Sequence, residues 1–119
     1  MINRNPTQDP DEYVEAVVKL YLHLPETPLK PSTNDRQTAE MLHARGINLA
    51  AVESALLLGS LRRLSRSPDM PPLSPIRSLA YFLPVIEEIL FNPLPDDHLK
   101  YLRKKLDSLS SREKAIKRD

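Results

Sequence analysis

The sequence of 119 residues contains no cysteine and only two glycines. Without cysteine the chain has no disulfide, no thiolate metal ligand and no cysteine nucleophile. A phosphate-binding loop needs several glycines, because its backbone must approach the phosphates closely. A G-x-S-x-G nucleophile motif is also missing. These absences remove the usual foundations of catalysis, so we predict a protein that is not an enzyme.

The sequence also lacks a long apolar run. Its most apolar segment, 49–61, is shorter than the ~20 residues that span a bilayer. The first ten residues, M-I-N-R-N-P-T-Q-D-P, have no apolar core of the kind found in signal peptides. The absence of cysteine is compatible with a reducing compartment. We therefore expect a soluble, cytoplasmic protein without a membrane partner.

Metal and acid–base chemistry have little support in the sequence. The three histidines, His23, His43 and His98, fall on different predicted helices or their ends, and none lies in a motif such as H-E-x-x-H. Glu87 and Glu88 are adjacent, so they point in different directions on a helix and cannot share a proton. We expect no metal and no cofactor.

Twelve prolines divide the chain, and most of them occur in clusters. Proline suits helix starts and extended connectors and is excluded from helix interiors. Between the clusters, apolar residues recur at helical spacing, and no useful length of sequence alternates as a strand does. The sequence therefore predicts an all-α single compact domain of about five helices joined by proline-rich connectors.

Helix start and stop signals give the expected boundaries. Asp9 is a predicted N-cap, Gly46 is a predicted left-handed C-cap, and Pro84 predicts a break near 81–83 within the fourth helix. The predicted helices cover about 10–23, 34–45, 48–66, a fourth from Ser74-Pro75 through Leu90, and about 97–117. We expect a disordered N-terminus over 1–8, a helical core over 9–93 and a basic, leucine-bearing C-terminal helix over 94–119.

The helix over 48–66 is predicted to be buried at the centre of the domain. From Leu49 to Leu61 it is apolar on most sides, whereas a surface helix has one apolar stripe. Gly59 costs about 1 kcal/mol relative to alanine in a helix, which predicts close approach of another helix. Residues 35–63 have the outline of a helix-turn-helix, but the second helix begins with apolar residues where a recognition helix is polar. We interpret this pair as scaffold.

Two basic groups are candidates for phosphate contacts, although the net charge of the chain is only +1. The central helix ends in Arg62, Arg63 and Arg66, and Arg77 follows in the next segment. The alternative is structural, because cations at a helix C-terminus stabilise its dipole and arginine stems cover core edges. The second group lies on the last helix, where a solvated face is the alternative: Lys100, Arg103 and Lys104.

The last helix also carries a leucine seam with spacing of three, four and three residues, formed by Leu99, Leu102, Leu106 and Leu109. This is heptad spacing, but it is too short for a stable coiled coil by itself. The seam is expected to dock either on its own domain or on a partner, such as another protein or a second copy of the chain.

Residues 35–91 resemble a family of helical domains. The likeness lies in A-R-G-I-N after a short helix, an alanine-rich second helix, an arginine-bearing linker and the segment I-R-S-L-A-Y-F-L-P-V-I-E-E-I-L. This outline is similar to the accessory domains of plasmid- and phage-type replication initiators, which resemble DnaD-like replisome organisers. The resemblance implies contact with DNA or a helicase loader through Arg62, Arg63 and Arg77. The winged-helix domain that precedes such domains has no counterpart here.

Two functions from different classes follow from these observations. The leading prediction is a small non-enzymatic accessory protein of replication or of a mobile element. It would bind the nucleic-acid phosphate backbone, DNA rather than RNA, through the basic helix end. The alternative is a protein-interaction module, or a small helical subunit of a larger assembly, that docks through the leucine seam or through exposed aromatic residues near Pro84.

Overall fold

The computed structural model describes the backbone of residues 9–67 and 69–117, and the side chains of 9–67, 69–95 and 97–109. The elements are α1 (Pro10–Leu22), α2 (Thr33–Ala44), α3 (Leu49–Leu64), a 3₁₀ turn (Leu79–Phe82), α4 (Leu83–Phe91) and α5 (Asp96–Lys117). No strand occurs in these residues, so the predicted all-α single domain of five helices is confirmed. The expectation for residues 1–8 lies outside the described part of the chain.

Side-chain caps fix the starts of the first three helices. The Asp9 carboxylate accepts hydrogen bonds from the first turn of α1, and the Asn48 side chain accepts one from the Ala51 amide of α3. Helix α2 begins after a capping box in which Ser32 and Asp35 each bond the other's backbone amide. Gly46, at φ 75°, turns the chain after α2 in the left-handed conformation that the sequence predicted.

Helix α3 lies at the centre of the domain. It contacts α1, α4, α5 and the 3₁₀ turn, and Val52, Ala55 and Leu56 are fully or almost fully buried. Neighbours on several sides require a helix that is apolar on several sides, which is the pattern of this segment. The prediction of a buried central helix is therefore confirmed.

Gly59 marks the closest approach between α3 and the chain that crosses it. A Cβ atom placed there would lie 2.8 Å from Cδ1 and Cε1 of Phe82, and 3.6 Å from Val85 Cγ2. Phe82 is fully buried, so its ring has little room to move away. The predicted close approach is confirmed, and it brings the 3₁₀ turn and the start of α4 against α3.

The fourth predicted helix begins later than expected. Residues 71–78 form an irregular connector instead of a helix starting at Ser74-Pro75, so that predicted start is wrong. The physical reason is competition for the Leu79 amide, which would bond the Pro75 carbonyl in such a helix but donates instead to Asp35 Oδ1 (2.9 Å). The Ile76 amide also donates outside its own segment, to the Glu26 carbonyl (3.0 Å). The predicted break near 81–83 is confirmed, because the 3₁₀ turn ends at Phe82 and α4 begins with Pro84 in its first turn.

Helix α5 packs against α3 and completes the core. Leu102 and Leu106 are buried, and Leu99 and Leu109 are partly buried against the same apolar cluster. The sequence left open whether the leucine seam packs on its own domain or on a partner, and the structure shows it packed on its own domain. None of the helices in the described part of the chain combines the length and the apolar character needed to cross a membrane.

Candidate nucleic-acid interface

The C-terminal end of α3 brings together all four arginines of the first basic group, although in different roles. Arg62 and Arg63 are in the last turn of α3, Arg66 follows its end, and Arg77 is in the connector that returns alongside. Arg62 and Arg77 are exposed, whereas Arg63 and Arg66 are partly covered. Proximity in space was predicted only if the connector folded back, and the structure shows that it does.

Arg63 is the most enclosed of the four. Its side chain is 6% exposed. It donates to the Glu26 carboxylate, to the Ser74 carbonyl (2.7 Å) and to the Tyr81 hydroxyl (3.1 Å), and its guanidinium carbon lies 5.4 Å from the centre of the Tyr81 ring. Burial lowers the pKa of Arg63, but the hydrogen bonds to Glu26 and Tyr81 outweigh burial and hold it above its ordinary value. We call Arg63 and its three partners, Glu26, Ser74 and Tyr81, the Arg63 cluster.

Arg62 forms a bidentate ion pair with Glu88 of α4. Its two terminal nitrogens donate to the two carboxylate oxygens at 2.9 and 2.6 Å. The hydrogen bond raises the pKa of Arg62 and lowers the pKa of Glu88. Both side chains are about half exposed, so solvent and salt weaken the pair. A phosphate group can therefore reach Arg62, in competition with Glu88.

Arg66 and Arg77 have no carboxylate partner among the described side chains. Arg66 donates to the Pro71 carbonyl (2.9 Å), and Arg77 is exposed on the connector. Of the four predicted phosphate contacts, these two form no ion pair with a described carboxylate.

Tyr81 separates two adjoining grooves on this surface. One groove, of about 420 Å³, is lined by Gly59, Arg62, Arg63, Arg66, Leu73, Tyr81 and Val85. The other, of about 490 Å³, is lined by Arg63, Leu73, Ser74, Pro75, Arg77, Ser78 and Tyr81. Because Arg63, Leu73 and Tyr81 line both, the two grooves form one continuous surface. Tyr81 is 44% exposed, so an aromatic ring is accessible beside cationic groups.

The second basic group, on α5, lies on the outward side of the helix. Lys100 and Lys104 are exposed and have no ion-pair partner among the described side chains. Arg103 instead forms a bidentate ion pair with Glu53 of α3, in which its Nε and Nη2 donate to the two carboxylate oxygens at 2.7 and 2.8 Å. The hydrogen bond to Glu53 raises the pKa of Arg103. The α5 group is thus divided between a cross-link to α3 and a solvated pair of lysines.

Sequence reasoning missed three residues that shape the candidate interface. Glu26 and Glu88 neutralise two of the four arginines, and Tyr81 defines the grooves. No local signal identifies them, because each acts on residues far away along the chain. The separation is 37 residues for Glu26 and Arg63, and 26 for Arg62 and Glu88.

No site for a metal is visible in residues 9–67 and 69–117, where no group of three histidine or acidic side chains is placed to hold an ion. Among known proteins, no family model, no curated protein and no solved structure matches the chain. The resemblance to DnaD-like organisers stays a prediction, and the function is argued from the surface itself.

Proposed function

We propose that this chain is a small non-enzymatic accessory protein that binds the phosphate backbone of nucleic acid at the C-terminal end of α3. The supporting observation is that Arg66 and Arg77 line the two adjoining grooves that share the exposed ring of Tyr81, and neither arginine has a carboxylate partner among the described side chains. Arg62 adds a third guanidinium when phosphate displaces Glu88. The proposed location is the cytoplasm and the proposed partner is DNA. A role in replication or in a mobile element rests on the resemblance of residues 35–91 to the accessory domains of replication initiators.

The chemistry of such a surface is electrostatic. Each phosphate contact releases counterions, so affinity falls as salt rises, with a slope of about −0.9 per contact for duplex DNA and about −0.7 for single strands. Three arginines predict a slope of roughly −2 to −3 in a plot of log affinity against log salt. Backbone contacts carry no base information, so sequence preference should be weak.

Fluorescence anisotropy with labelled duplex DNA, single-stranded DNA and RNA of equal length, across a salt series, tests the proposal. The variant R66E/R77E should bind none of the probes measurably at a salt concentration where the parent binds. The control K100E/K104E makes the same change in net charge on the outward side of α5, and it should lose much less affinity. Equal losses in both variants, or no binding by the parent at low salt, would contradict the proposed interface.

A protein-interaction module is the second candidate, because one aromatic side chain is fully presented to solvent. Phe91 is 92% exposed at the end of α4, and its neighbour Leu90 lines a groove of about 430 Å³ formed with Pro93, Leu94 and the start of α3. An exposed aromatic residue beside a groove is suited to a protein contact. Protein association through this surface would be weakened by F91A and would persist at high salt, unlike phosphate binding.

A further inference from the structure

The Arg63 cluster joins three parts of the chain that are distant in sequence. Arg63 leaves the last turn of α3, Glu26 lies after α1, and Ser74 and Tyr81 lie in the segment that leads to α4. The four hydrogen bonds of Arg63 use four of the five N–H donors of a guanidinium group. A side chain that is 6% exposed and already engaged in this way has little capacity left for a phosphate.

The backbone of Glu26 holds the same segment a second time. Its carbonyl accepts the Ile76 amide at 3.0 Å. Its φ is 66°, in the left-handed region that non-glycine residues seldom adopt unless their surroundings fix them. Glu26 therefore binds the connector directly through its carbonyl and indirectly through Arg63, whose guanidinium bonds the Ser74 carbonyl.

The connector determines where the cationic groups lie. Arg77 is one residue after Ile76, and Tyr81 is held through its hydroxyl by Arg63. If residues 71–78 were free to move, Arg77 and Tyr81 would no longer have fixed positions relative to Arg66 at the end of α3. A surface that is correctly arranged only part of the time binds with affinity reduced by that fraction.

We infer that Glu26 and Arg63 are positioning residues, which fix the 71–78 connector so that Arg77 and Tyr81 lie beside Arg66, and that Arg63 does not itself contact phosphate. This inference rests on the proposed function, because the surface being positioned is the proposed nucleic-acid interface. It also reverses the role that the sequence predicted for Arg63, from phosphate contact to internal support.

Replacing three glutamates one at a time tests whether DNA affinity rises or falls when each carboxylate is lost. E26Q, E87Q and E88Q each remove one negative charge and one arginine–glutamate ion pair, since Glu87 pairs with Arg45 and Glu88 with Arg62. Electrostatics alone predicts that all three bind DNA more tightly. Positioning predicts that E26Q binds about three- to tenfold more weakly, as the fraction of correctly arranged protein falls to between a third and a tenth.

The two control variants should behave differently from E26Q. E88Q should bind more tightly, because it frees exposed Arg62 for phosphate, and E87Q should change affinity by less than about twofold, in line with a surface pair outside the interface. Tighter binding by E26Q would overturn the inference and would identify Arg63 as a phosphate contact that Glu26 restrains.

Arg63 can be tested directly with its conservative variant. R63K should not restore the parent affinity, because a lysine ammonium cannot match the planar fork that bonds three different partners. The salt slope of R63K and R63Q should equal that of the parent, whereas R66Q should lose about 0.7–0.9 from the slope. A slope that falls by one contact in R63Q, with affinity kept in R63K, would contradict positioning.

Hydrogen exchange separates a failure of this inference from a failure of the proposed function. The amides of Ile76 and Leu79 are bonded to Glu26 and Asp35, so their exchange reports on the connector without any nucleic acid. E26Q and R63Q should speed exchange at Ile76 at least tenfold relative to E87Q. Unchanged exchange would overturn positioning even if DNA binds, and faster exchange without DNA binding would remove only the interface.

Discussion

The end of α3 and the outer side of α5 are both basic in sequence, but the structure uses their cations in different ways. At the end of α3, Arg62 and Arg63 are bonded to carboxylates of distant elements. On α5, Lys100 and Lys104 are exposed to solvent, whereas Arg103 bonds Glu53 of α3. Each described ion pair joins an arginine to a glutamate, which is consistent with the planar fork of arginine matching a carboxylate better than an ammonium does. A basic run in sequence is therefore a poor guide to free positive charge.

The largest predicted effect concerns what holds α5 in place. Leu106 is buried against the core, so L106A should lower the free energy of unfolding by about 2–5 kcal/mol. K104A, two residues earlier and exposed to solvent, should change it by less than about 0.5 kcal/mol. Urea unfolding of the two variants measures both. Similar losses would mean that Lys104 holds α5 in place as strongly as Leu106 does.

The next effect distinguishes the two arginine pairs. R63Q should destabilise the fold by about 1–3 kcal/mol, because Glu26 and the Ser74 carbonyl lose a charged donor in an enclosed site. The matched variant is R103Q, which removes the arginine–glutamate pair that joins α5 to α3. If the midpoint of urea unfolding of R63Q equals that of the parent, the Arg63 cluster contributes nothing to stability. The end of α3 and the outer side of α5 would then not differ in how their arginines act.

The close packing of Gly59 in α3 against Phe82 gives a third prediction. G59A places a methyl group 2.8 Å from the buried Phe82 ring, which should cost about 1–3 kcal/mol by overpacking. The gain of about 1 kcal/mol in helix propensity offsets part of this, so a net loss of roughly 1 kcal/mol is expected. Thermal unfolding measures the net effect. A stabilised G59A would show that Phe82 moves aside readily and does not fix the start of α4.

The smallest effect is expected at Arg103, which links α5 to α3. Arg103 is about half exposed but Glu53 is only 15% exposed, so R103Q should lower the free energy of unfolding by about 1 kcal/mol, at the upper end of the range for surface pairs. A double-mutant cycle with E53Q isolates the pair energy. A coupling as large as that between Glu26 and Arg63 would mean that enclosing the arginine, as at Arg63, adds nothing to the strength of the pair.

The helices and their boundaries were largely predictable because their signals are local. Asp9, Asn48 and Gly46 each act within four residues of their own position, and sequence shows them directly. The candidate interface was only half predictable. The sequence identified the arginines as a group, but it gave no indication which of them a carboxylate would neutralise.

By itself, then, the sequence determined an all-α domain with α3 buried at its centre, since apolar periodicity and caps depend on neighbouring residues. Tertiary structure decided the connector over 71–78, the occupant of the leucine seam and the partners of each arginine. These outcomes depend on groups that meet only when the chain has folded, such as Leu79 with Asp35 across 44 residues and Arg103 with Glu53 across 50. Ser74-Pro75 has a helix-start pattern, yet the Leu79 amide, which that helix would need, bonds Asp35 instead.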